Sequence, residues 1–486
     1  MVEALELINK FVWGLPTLLL ILAAGLYLSI GTRWAQLTMF PKALRSFFAK
    51  LKPDKNKEDG VSGYQALCTA LAATVGTGNI AGVAGAIALG GPGSIFWMWI
   101  CAFFGMIIKC AEATLAVRYR QRSNSGEWVG GPMYMIKNGL GPKWSWLATL
   151  YCVFGVVAAF GVGNATQVNA VIGGINSAVT ALGGAVSRKT DIAIGIGLAI
   201  IVGLMLSGGA ARIGRIAEYL VPYASFLYLL LGAVVLVVRA QAIPAAFSAI
   251  IAGAFEPKAV TGGIVGSVFV SMRTGAARGV FTNEAGMGTA SIAHASARVE
   301  HPAEQGMMGI MEVFIDTILI CTMTALVILC SGVDISYGND AGASLTTEAF
   351  SLVYGGWISV VIAASLCCFA FATILGWGLY GLRCAQYLFG EKVWTPFVFF
   401  QVFTVILGAV LQTGTVWMLA ESVNGLMAIP NLIALLFLSP EFFALIREYR
   451  IEKKDSTAVF GGTYENIDQR KSLRTVSHAE IPSSGG

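Results

Sequence analysis

The 486-residue sequence is poor in charged residues, since Asp, Glu, Lys and Arg together make up only 12% of it. Soluble proteins carry about 25% charged residues, so the composition excludes an ordinary soluble domain. Hydrophobic residues make up 56% of the chain, and the mean hydropathy is +0.72. The sequence therefore predicts an all-α integral membrane protein, because a helix satisfies its own backbone hydrogen bonds in lipid.

Residues with catalytic or metal-binding chemistry are also scarce. Histidine occurs three times, at His294, His301 and His478, and the H-E-x-x-H motif of zinc hydrolases is missing. None of the nine cysteines forms a C-x-x-C pair, so we interpret them as small apolar core residues. The phosphate-binding motif G-x-x-x-x-G-K-[ST] does not occur. These absences argue against an enzyme and against an ATP-driven pump.

Long apolar runs dominate the chain instead. A bilayer core of about 30 Å needs roughly 20 apolar residues per helix. About eleven segments meet this requirement, whereas residues 241–257 resemble an amphipathic outer helix. The predicted spans lie near 12–30, 64–89, 94–117, 144–176, 190–206, 216–238, 261–281, 305–332, 349–381, 394–411 and 415–438.

Lys and Arg are distributed unevenly among the loops between these spans. If the loop at 31–63 is inside and the sides alternate from there, the inner loops hold 26 basic residues and the outer loops five. The positive-inside rule then predicts an outer N-terminus and a cytoplasmic C-terminus. Residues 1–450 would form one transmembrane domain, and residues 451–486 a disordered cytoplasmic tail.

The number of spans predicts an internal repeat. Without the first span, ten remain, and they divide into repeats at about 64–238 and 261–438. Because five is odd, the second repeat would enter the membrane from the opposite side. We therefore expect one extra N-terminal helix followed by a 5+5 inverted repeat.

Two of the apolar segments contain a polar, glycine-containing run: TVGTGN at 74–79 and SMRTG at 271–275. Unwound backbone is tolerated at membrane depth only where it lines a cavity or is buried in protein. Paired interruptions in two halves point to a transporter's substrate site. Freed N–H groups attract a carboxylate, and freed carbonyls attract a cation. Close helix packing through Gly78-x-x-x-Gly82 is the alternative explanation of the first run.

Four longer motifs follow one another along the chain: GTGNIAG at 76–82, GGPGSIFWMWICAFFG at 90–105, RGVFTNEAG at 278–286 and EVFID at 312–316. Together they resemble the alanine or glycine:cation symporter family (sodium:alanine symporter family), from near residue 10 to near residue 450. The resemblance implies the leucine-transporter (LeuT) type of inverted repeat with two discontinuous helices. It also implies Na⁺-driven import of alanine or glycine across a bacterial or archaeal plasma membrane.

The resemblance further implies which residues contact the substrate. The third core helix of the family contributes an amide, for which Gln167 is our first choice and Asn164 the second. The eighth contributes Thr373 and Trp377, which lie four apart and so share a helix face; Trp377 would restrict the substrate to a small side chain. The first and sixth core helices contribute Thr74, Gly76, Thr77, Gly78, Asn79, Ser271, Thr274 and Gly275.

The sodium site of the wider fold lies between its first and eighth core helices. By resemblance, the ligands here would be the carbonyls of Ala72, Val75 and Ala370 together with the hydroxyl of Thr373. The chain departs from the family pattern at Leu382, where the family commonly has Glu. This change removes a carboxylate from the end of the eighth core helix.

Charged residues inside the predicted spans are candidates for gating or ion coupling. Lys109 and Glu112 lie one turn apart and are expected to neutralise one another. Glu312 and Asp316 share a helix face, and they would either brace the bundle by pairing with Arg273 and Arg278 or take part in gating. A proton-coupled symporter that uses Asp316 and Glu312 is the alternative function.

A secondary transporter is thus the leading interpretation. A channel would need a repeated or symmetric filter, which the two unlike interruptions do not provide. The expected partners are a small neutral amino acid, Na⁺ as the coupling ion, and the lipid bilayer. No organic cofactor, nucleic acid or obligate protein partner is expected.

Overall fold

The structure, a computed structural model, describes residues 12–50, 61–265, 267–339, 342–410 and 413–461. The helices of the first half are α1 (Leu15–Gly31), α2 (Ala35–Thr38), α3 (Phe40–Lys50), α4 (Gly63–Thr74), α5 (Ala81–Gly90), α6 (Gly93–Arg118), α7 (Pro132–Tyr134), α8 (Ser145–Phe160), α9 (Thr166–Ala181), α10 (Arg188–Leu206) and α11 (Gly209–Val238). Those of the second half are α12 (Ile243–Phe255), α13 (Pro257–Val260), α14 (Val268–Asn283), α15 (Thr289–His294), α16 (Pro302–Val313), α17 (Thr322–Ser331), α18 (Gly342–Tyr354), α19 (Ile358–Phe389), α20 (Trp394–Gly408), α21 (Thr413–Phe437) and α22 (Ser439–Gly461).

Short elements connect these helices. Two two-residue ladders are formed by β1 (Val61–Ser62) with β4 (Ala297–Arg298), in parallel, and by β2 (Gln121–Arg122) with β3 (Trp128–Val129), antiparallel. Turns of 3-10 helix occupy Thr77–Asn79, Pro142–Trp144, Ala240–Ala242 and Glu391–Val393, and π-helical turns occupy Met135–Leu140, Gly161–Ala165 and Phe314–Cys321. Such π-helical turns are frequent at functional sites.

Six helical stretches of the described residues are long and apolar enough to cross a membrane, and a seventh is added if the bent pair α21–α22 counts as one span. The chain is therefore a multi-pass membrane protein. The prediction of eleven spans exceeds this number because several predicted spans correspond to shorter helices. Among these are α1 and α5; the predicted outer helix, α12, which is not one of the eleven, is also short.

The helix ends follow local sequence signals. Ser62 begins α4 with a capping box, in which its hydroxyl accepts from the amide of Gln65 and the Gln65 side chain accepts in return. Helix α18 ends before Gly355, whose φ of +83° is the left-handed conformation that glycine adopts after a helix. This stop divides the predicted span at 349–381 into α18 and α19.

The predicted tail begins as helix, because α22 continues to Gly461. The remainder of that prediction, residues 462–486, lies outside the described residues.

Helix α19 is the element that the hydrophobic clusters share. One cluster packs it against α4 and α11, a second against α8 and a third against α9 to α11. Leu382, at the position of the family's glutamate, is buried in the second cluster. Helix α6 packs against α14 and α16. This arrangement encloses the interruption between α4 and α5.

Candidate substrate and sodium site

The interruption between α4 and α5 changes the backbone hydrogen bonding inside the protein. Helix α4 ends at Thr74, and a single 3-10 turn over Thr77–Asn79 precedes α5. The amide of Gly76 donates to Oδ1 of Asn79 over 2.8 Å. In a continuous helix this amide would bond to the carbonyl of Ala72, four residues back. Asn79 thus diverts the donor and leaves that carbonyl without its helical partner.

Helix α19 lies directly against this opening. A Cβ atom added to Gly76 would lie 2.6 Å from Oγ1 of Thr373, and one added to Gly376 would lie 2.8 Å from Cβ of Ala73. The two glycines therefore allow α4 and α19 to approach closely. All of the predicted sodium ligands lie on these two facing segments, at Ala72, Val75, Ala370 and Thr373.

The structure brings one of the two candidate amides to the opening. Oε1 of Gln167 lies 3.7 Å from the position of a Cβ on Gly76, and it has no hydrogen-bond partner among the described residues. Its Nε2 donates to the carbonyl of Val162, five residues back, over 3.1 Å. Asn164 instead donates to the carbonyl of Gln401 on α20 over 2.8 Å. Gln167, the first choice, is therefore the amide that faces the site.

A buried polar cluster joins the opening to the π-helical turn at Phe314–Cys321. Nδ2 of Asn79 donates to Oδ1 of Asp316 over 2.7 Å and to its carbonyl over 3.1 Å. Oδ2 of Asp316 accepts from the hydroxyl of Thr317 over 2.8 Å, and that hydroxyl accepts from Asn283 over 3.1 Å. Asp316 therefore contacts the opening through Asn79.

The predicted interruption at residues 271–275 is wrong, because α14 continues unbroken from Val268 to Asn283. Ser271 is buried, Thr274 packs on Gly90, and a side chain at Gly275 would collide with the carbonyl of Ser94. These residues join α14 to α5 and α6. A single glycine costs a helix only about 1 kcal/mol, which this close packing offsets.

The second interruption lies further along, at residues 284–288. Glu284 has a φ of +54°, and Gly286 and Gly288 have φ values of +93° and +77°. The left-handed region is costly for most residues but not for glycine, so this run cannot continue the helix. Helix α15 resumes at Thr289.

The two interruptions face one another. A Cβ atom added to Gly78 would lie 3.1 Å from Oγ1 of Thr282, in the last turn of α14. Thr274 precedes Thr282 by eight residues, which is about 12 Å of helix. The second interrupted segment therefore approaches the site through Thr282 and its neighbours rather than through Ser271, Thr274 and Gly275.

Trp377 is held between the second interruption and the π-helical turn at Gly161–Ala165. Its Nε1 donates to Oε1 of Glu284 over 2.8 Å, and Oε2 of Glu284 accepts from the hydroxyl of Thr289 over 2.5 Å. A side chain at Gly163 would collide with Trp377. The indole is fully buried and has its one donor satisfied. Its position is therefore fixed on both sides.

Glu112 caps the second interruption. Its Oε1 accepts from the amides of Gly286 and Gly288 over 2.9 and 3.0 Å and from Nδ2 of Asn431 over 2.7 Å. The sequence predicts Lys109 as its partner, but the ion pair of Lys109 is with Glu312, at 3.3 Å between Nζ and Oε1. Lys109 and Glu112 still attract one another electrostatically, but one-turn spacing permits a pair without selecting it over partners on other helices.

Glu312 also contacts a second basic side chain, since its Oε2 lies 2.9 Å from Nε2 of His294. The sequence predicts Arg273 and Arg278 as partners of the two acids, whereas the structure gives Glu312 the partners Lys109 and His294. This network braces α6, α15 and α16 from within. His294, which falls in the predicted loop between the spans at 261–281 and 305–332, ends α15 and is fully buried.

Sequence reasoning missed several residues of the site. The motif at 278–286 includes Thr282, Asn283 and Glu284, but we used it only as a family signature. Its last residue, Gly286, forms a G-x-G with Gly288 just beyond the motif; this pair resembles Gly76 and Gly78 and is the signal that could have located the second interruption.

Comparison with known proteins agrees with the motifs. The profile of the sodium:alanine symporter family matches residues 1–460. The sodium/alanine symporter AgcS of Methanococcus maripaludis is 40% identical over 444 residues, covering 90% of this chain and 95% of that protein. The amino-acid carrier protein AlsT of Bacillus subtilis is 34% identical, covering 92% of this chain and 91% of that protein. The putative sodium/proton-dependent alanine carrier protein YrbD of B. subtilis is 33% identical, covering 93% of each.

Among solved structures, MhsT in complex with L-phenylalanine matches with a TM-score of 0.56 and covers 80% of this chain and 99% of its own. Its identity is 14%, so the match establishes a fold of the LeuT type and not a substrate. The family resemblance is thereby confirmed, and the chain is a transporter rather than an enzyme. It belongs to the sodium:alanine symporter family.

Proposed function

We propose that this chain imports a small neutral amino acid, alanine or glycine, together with Na⁺ by alternating access. The observation that carries the proposal is the hydrogen bond from the Gly76 amide to Asn79, which frees the Ala72 carbonyl near the end of α4, while the Thr373 hydroxyl lies against Gly76. Carbonyl and hydroxyl oxygens at a helix C-terminus are an arrangement that attracts a cation. Na⁺ would bind to Ala72, Val75, Ala370 and Thr373.

The substrate would lie beside this ion. Its carboxylate would meet the amides of the first interruption, within Thr74 and residues 76–79, and Oε1 of Gln167 is free to accept from its ammonium group. The second interrupted helix would contribute Thr282 and Glu284 to the substrate site, in place of the residues predicted from the sequence, Ser271, Thr274 and Gly275. Trp377 would close the part of the site that holds the substrate's side chain, and it would favour a substrate whose side chain is a hydrogen or a methyl group over larger ones.

For the topology, we propose eleven spans: one N-terminal helix and two inverted repeats at about 64–238 and 261–438. The N-terminus would be outside and the C-terminus in the cytoplasm of a bacterial or archaeal cell. The 26-to-5 distribution of Lys and Arg supports this orientation. The two facing interruptions, between α4 and α5 and between α14 and α15, support two discontinuous helices.

A proton-coupled symporter is the second candidate. Asp316 supports it, because this buried carboxylate contacts Asn79 in the first interruption, and Glu312 lies one turn away. The relative YrbD, whose name includes proton dependence, gives the candidate a precedent within the family.

One experiment separates the two. Protein in proteoliposomes is given labelled alanine, with external Na⁺ replaced by choline at constant pH. Sodium coupling predicts that uptake falls to background. Uptake that persists without Na⁺ and follows an imposed pH gradient would instead support protons as the driving ion.

The same proteoliposomes test the substrate class. Unlabelled alanine, glycine, valine and leucine are compared as competitors of alanine uptake in Na⁺. The proposal expects competition to fall steeply once the side chain exceeds a methyl group. Equal competition by leucine would remove Trp377 as the limit on side-chain size.

A further inference from the structure

A cavity of about 410 Å³ lies where the end of α1 meets α2, α3 and α22, on the surface of the protein. Four basic side chains line it: Arg33, Lys42, Arg447 and Arg450. None of the described residues in its lining is acidic. The cavity is separate from the substrate and sodium site, and neither the family resemblance nor the proposed transport cycle uses it.

Helix α22 directs its charges to different sides. Glu441 accepts from Nε of Arg118 over 2.8 Å, and Glu448 lies 3.9 Å from Nε2 of His301. These acids therefore face α6 and the start of α16, whereas Arg447 and Arg450 face the cavity. Among the side chains that the structure describes on α22, no acid neutralises the positive charge of the cavity.

The basic side chains of the cavity differ in whether they already have a hydrogen-bond or ion-pair partner in the protein. Arg450 donates to the hydroxyl of Thr38 over 2.7 Å and lies close enough to Arg33 for the two positive charges to repel one another. Lys42 and Arg447 are exposed, and their charged groups have no hydrogen bond or ion pair in the described part of the chain. An anion in the cavity would relieve the repulsion and give these two residues a partner.

The surroundings of the cavity include exposed apolar side chains. Leu26 and Ile30 on α1 are 42% and 61% exposed, and they lead to Gly31 at the cavity rim. On the far side, Phe443 packs over Gly31, and Ile451 is 55% exposed. A ligand that fits both regions has an anionic head and a long apolar tail.

We propose that the cavity binds the headgroup of an anionic phospholipid, with the phosphate among Lys42, Arg447 and Arg450 and an acyl chain along α1. Basic pockets between helices on the cytoplasmic side of membrane proteins bind such headgroups. The lipid would join α1 to α22, two elements that flank the predicted transport core. This proposal depends on the membrane location and the proposed orientation of the chain but not on its substrate.

Native mass spectrometry of the detergent-purified, delipidated full chain tests the proposal. The protein is incubated with phosphatidylglycerol or with phosphatidylcholine of matched acyl chains, and retained lipid is counted. We expect the wild type to prefer phosphatidylglycerol about tenfold. The variant Lys42→Gln/Arg447→Gln should lose that preference, and both side chains are exposed, so the fold is preserved.

The matched control is Lys143→Gln/Arg215→Gln, which removes two exposed basic charges elsewhere. It should keep the wild-type preference, and Arg450→Gln should reduce it. An equal loss in the control and cavity variants would overturn the site. Inorganic phosphate alone forms a further arm: if it displaces phosphatidylglycerol at equal concentration, the ligand is a soluble anion and the lipid assignment fails. Because no transport is measured, failure here is distinct from failure of the proposed function.

Discussion

Trp377 and Glu284 are 93 residues apart in the chain, yet the indole Nε1 of Trp377 donates to Oε1 of Glu284 over 2.8 Å. Glu284 lies in the interruption between α14 and α15, so the bond fixes a wall of the proposed substrate site to a helix break. Rearrangement of that break would therefore move the wall as well.

Replacing Glu284 with Ala should loosen substrate selection. The buried indole N–H would lose its acceptor at a cost of about 1–3 kcal/mol, so Trp377 would no longer hold one position. We expect leucine to compete with labelled alanine about tenfold better than in the wild type, measured in proteoliposomes. Glu284→Gln keeps an acceptor and should retain wild-type selectivity; an altered selectivity there would indicate that the negative charge matters instead.

Trp377→Ala should admit valine and leucine directly, because it removes the largest fully buried side chain of the described residues. Loss of such a ring also costs about 3–5 kcal/mol of stability, so purified protein is compared by monodispersity before binding is measured. Trp357→Ala is the control, since that side chain is 56% exposed. Unchanged competition by valine in the folded variant would contradict the assigned role.

Gly76→Ala should impair sodium-dependent uptake. The added methyl group would lie 2.6 Å from Oγ1 of Thr373 and displace the proposed sodium ligand, at a cost of about 1–3 kcal/mol. We expect the Na⁺ concentration for half-maximal uptake to rise about tenfold or more. Gly82→Ala is a matched control, because nothing lies within 4 Å of its added Cβ. Equal behaviour of the two variants would show that the approach of α19 is unimportant.

Asn79→Asp should abolish uptake at neutral pH, because a second carboxylate would face Oδ1 of Asp316 at about the present 2.7 Å. The exchange variant Asn79→Asp/Asp316→Asn restores one amide and one acid, and it should recover a substantial part of the activity. The double-mutant cycle in uptake rate measures this coupling. A double variant no better than Asn79→Asp would mean that Asp316 has a role beyond holding Asn79, as proton coupling requires.

Glu312→Gln should destabilise the protein by about 3–5 kcal/mol, because it leaves the ammonium of Lys109 buried without its counter-charge. Adding Lys109→Met removes the stranded charge, and Gln at position 312 still accepts from His294. The double variant should therefore recover much of the loss. Thermal unfolding of the detergent-purified variants is the measurement, and a double variant as unstable as the single would exclude the ion pair as the cause.

The two interruptions differ in how well their positions could be predicted. At Gly76 and Gly78, paired glycines among Thr and Asn side chains are typical of unwound backbone, and the helix does end there. A single glycine such as Gly275 can mark either a break in a helix or a close contact between two helices. In the structure, Gly275 is a contact with α6. Sequence spacing alone does not distinguish a helix break from a helix contact, because the difference depends on whether another backbone packs against the glycine.

Composition and hydropathy determined the membrane class and the approximate helices, because these depend on the amount and period of apolar surface, and the ordered motifs determined the family. The sequence also placed Gly76, Asn79, Gln167 and Thr373 in one site through the resemblance. Only the tertiary structure decided the partners of the buried charges: Lys109 with Glu312, Glu112 with the amides of residues 286 and 288, and Glu284 with Trp377. A buried charge takes whichever partners the packed helices bring within hydrogen-bond distance, and helices distant in sequence supply most of them.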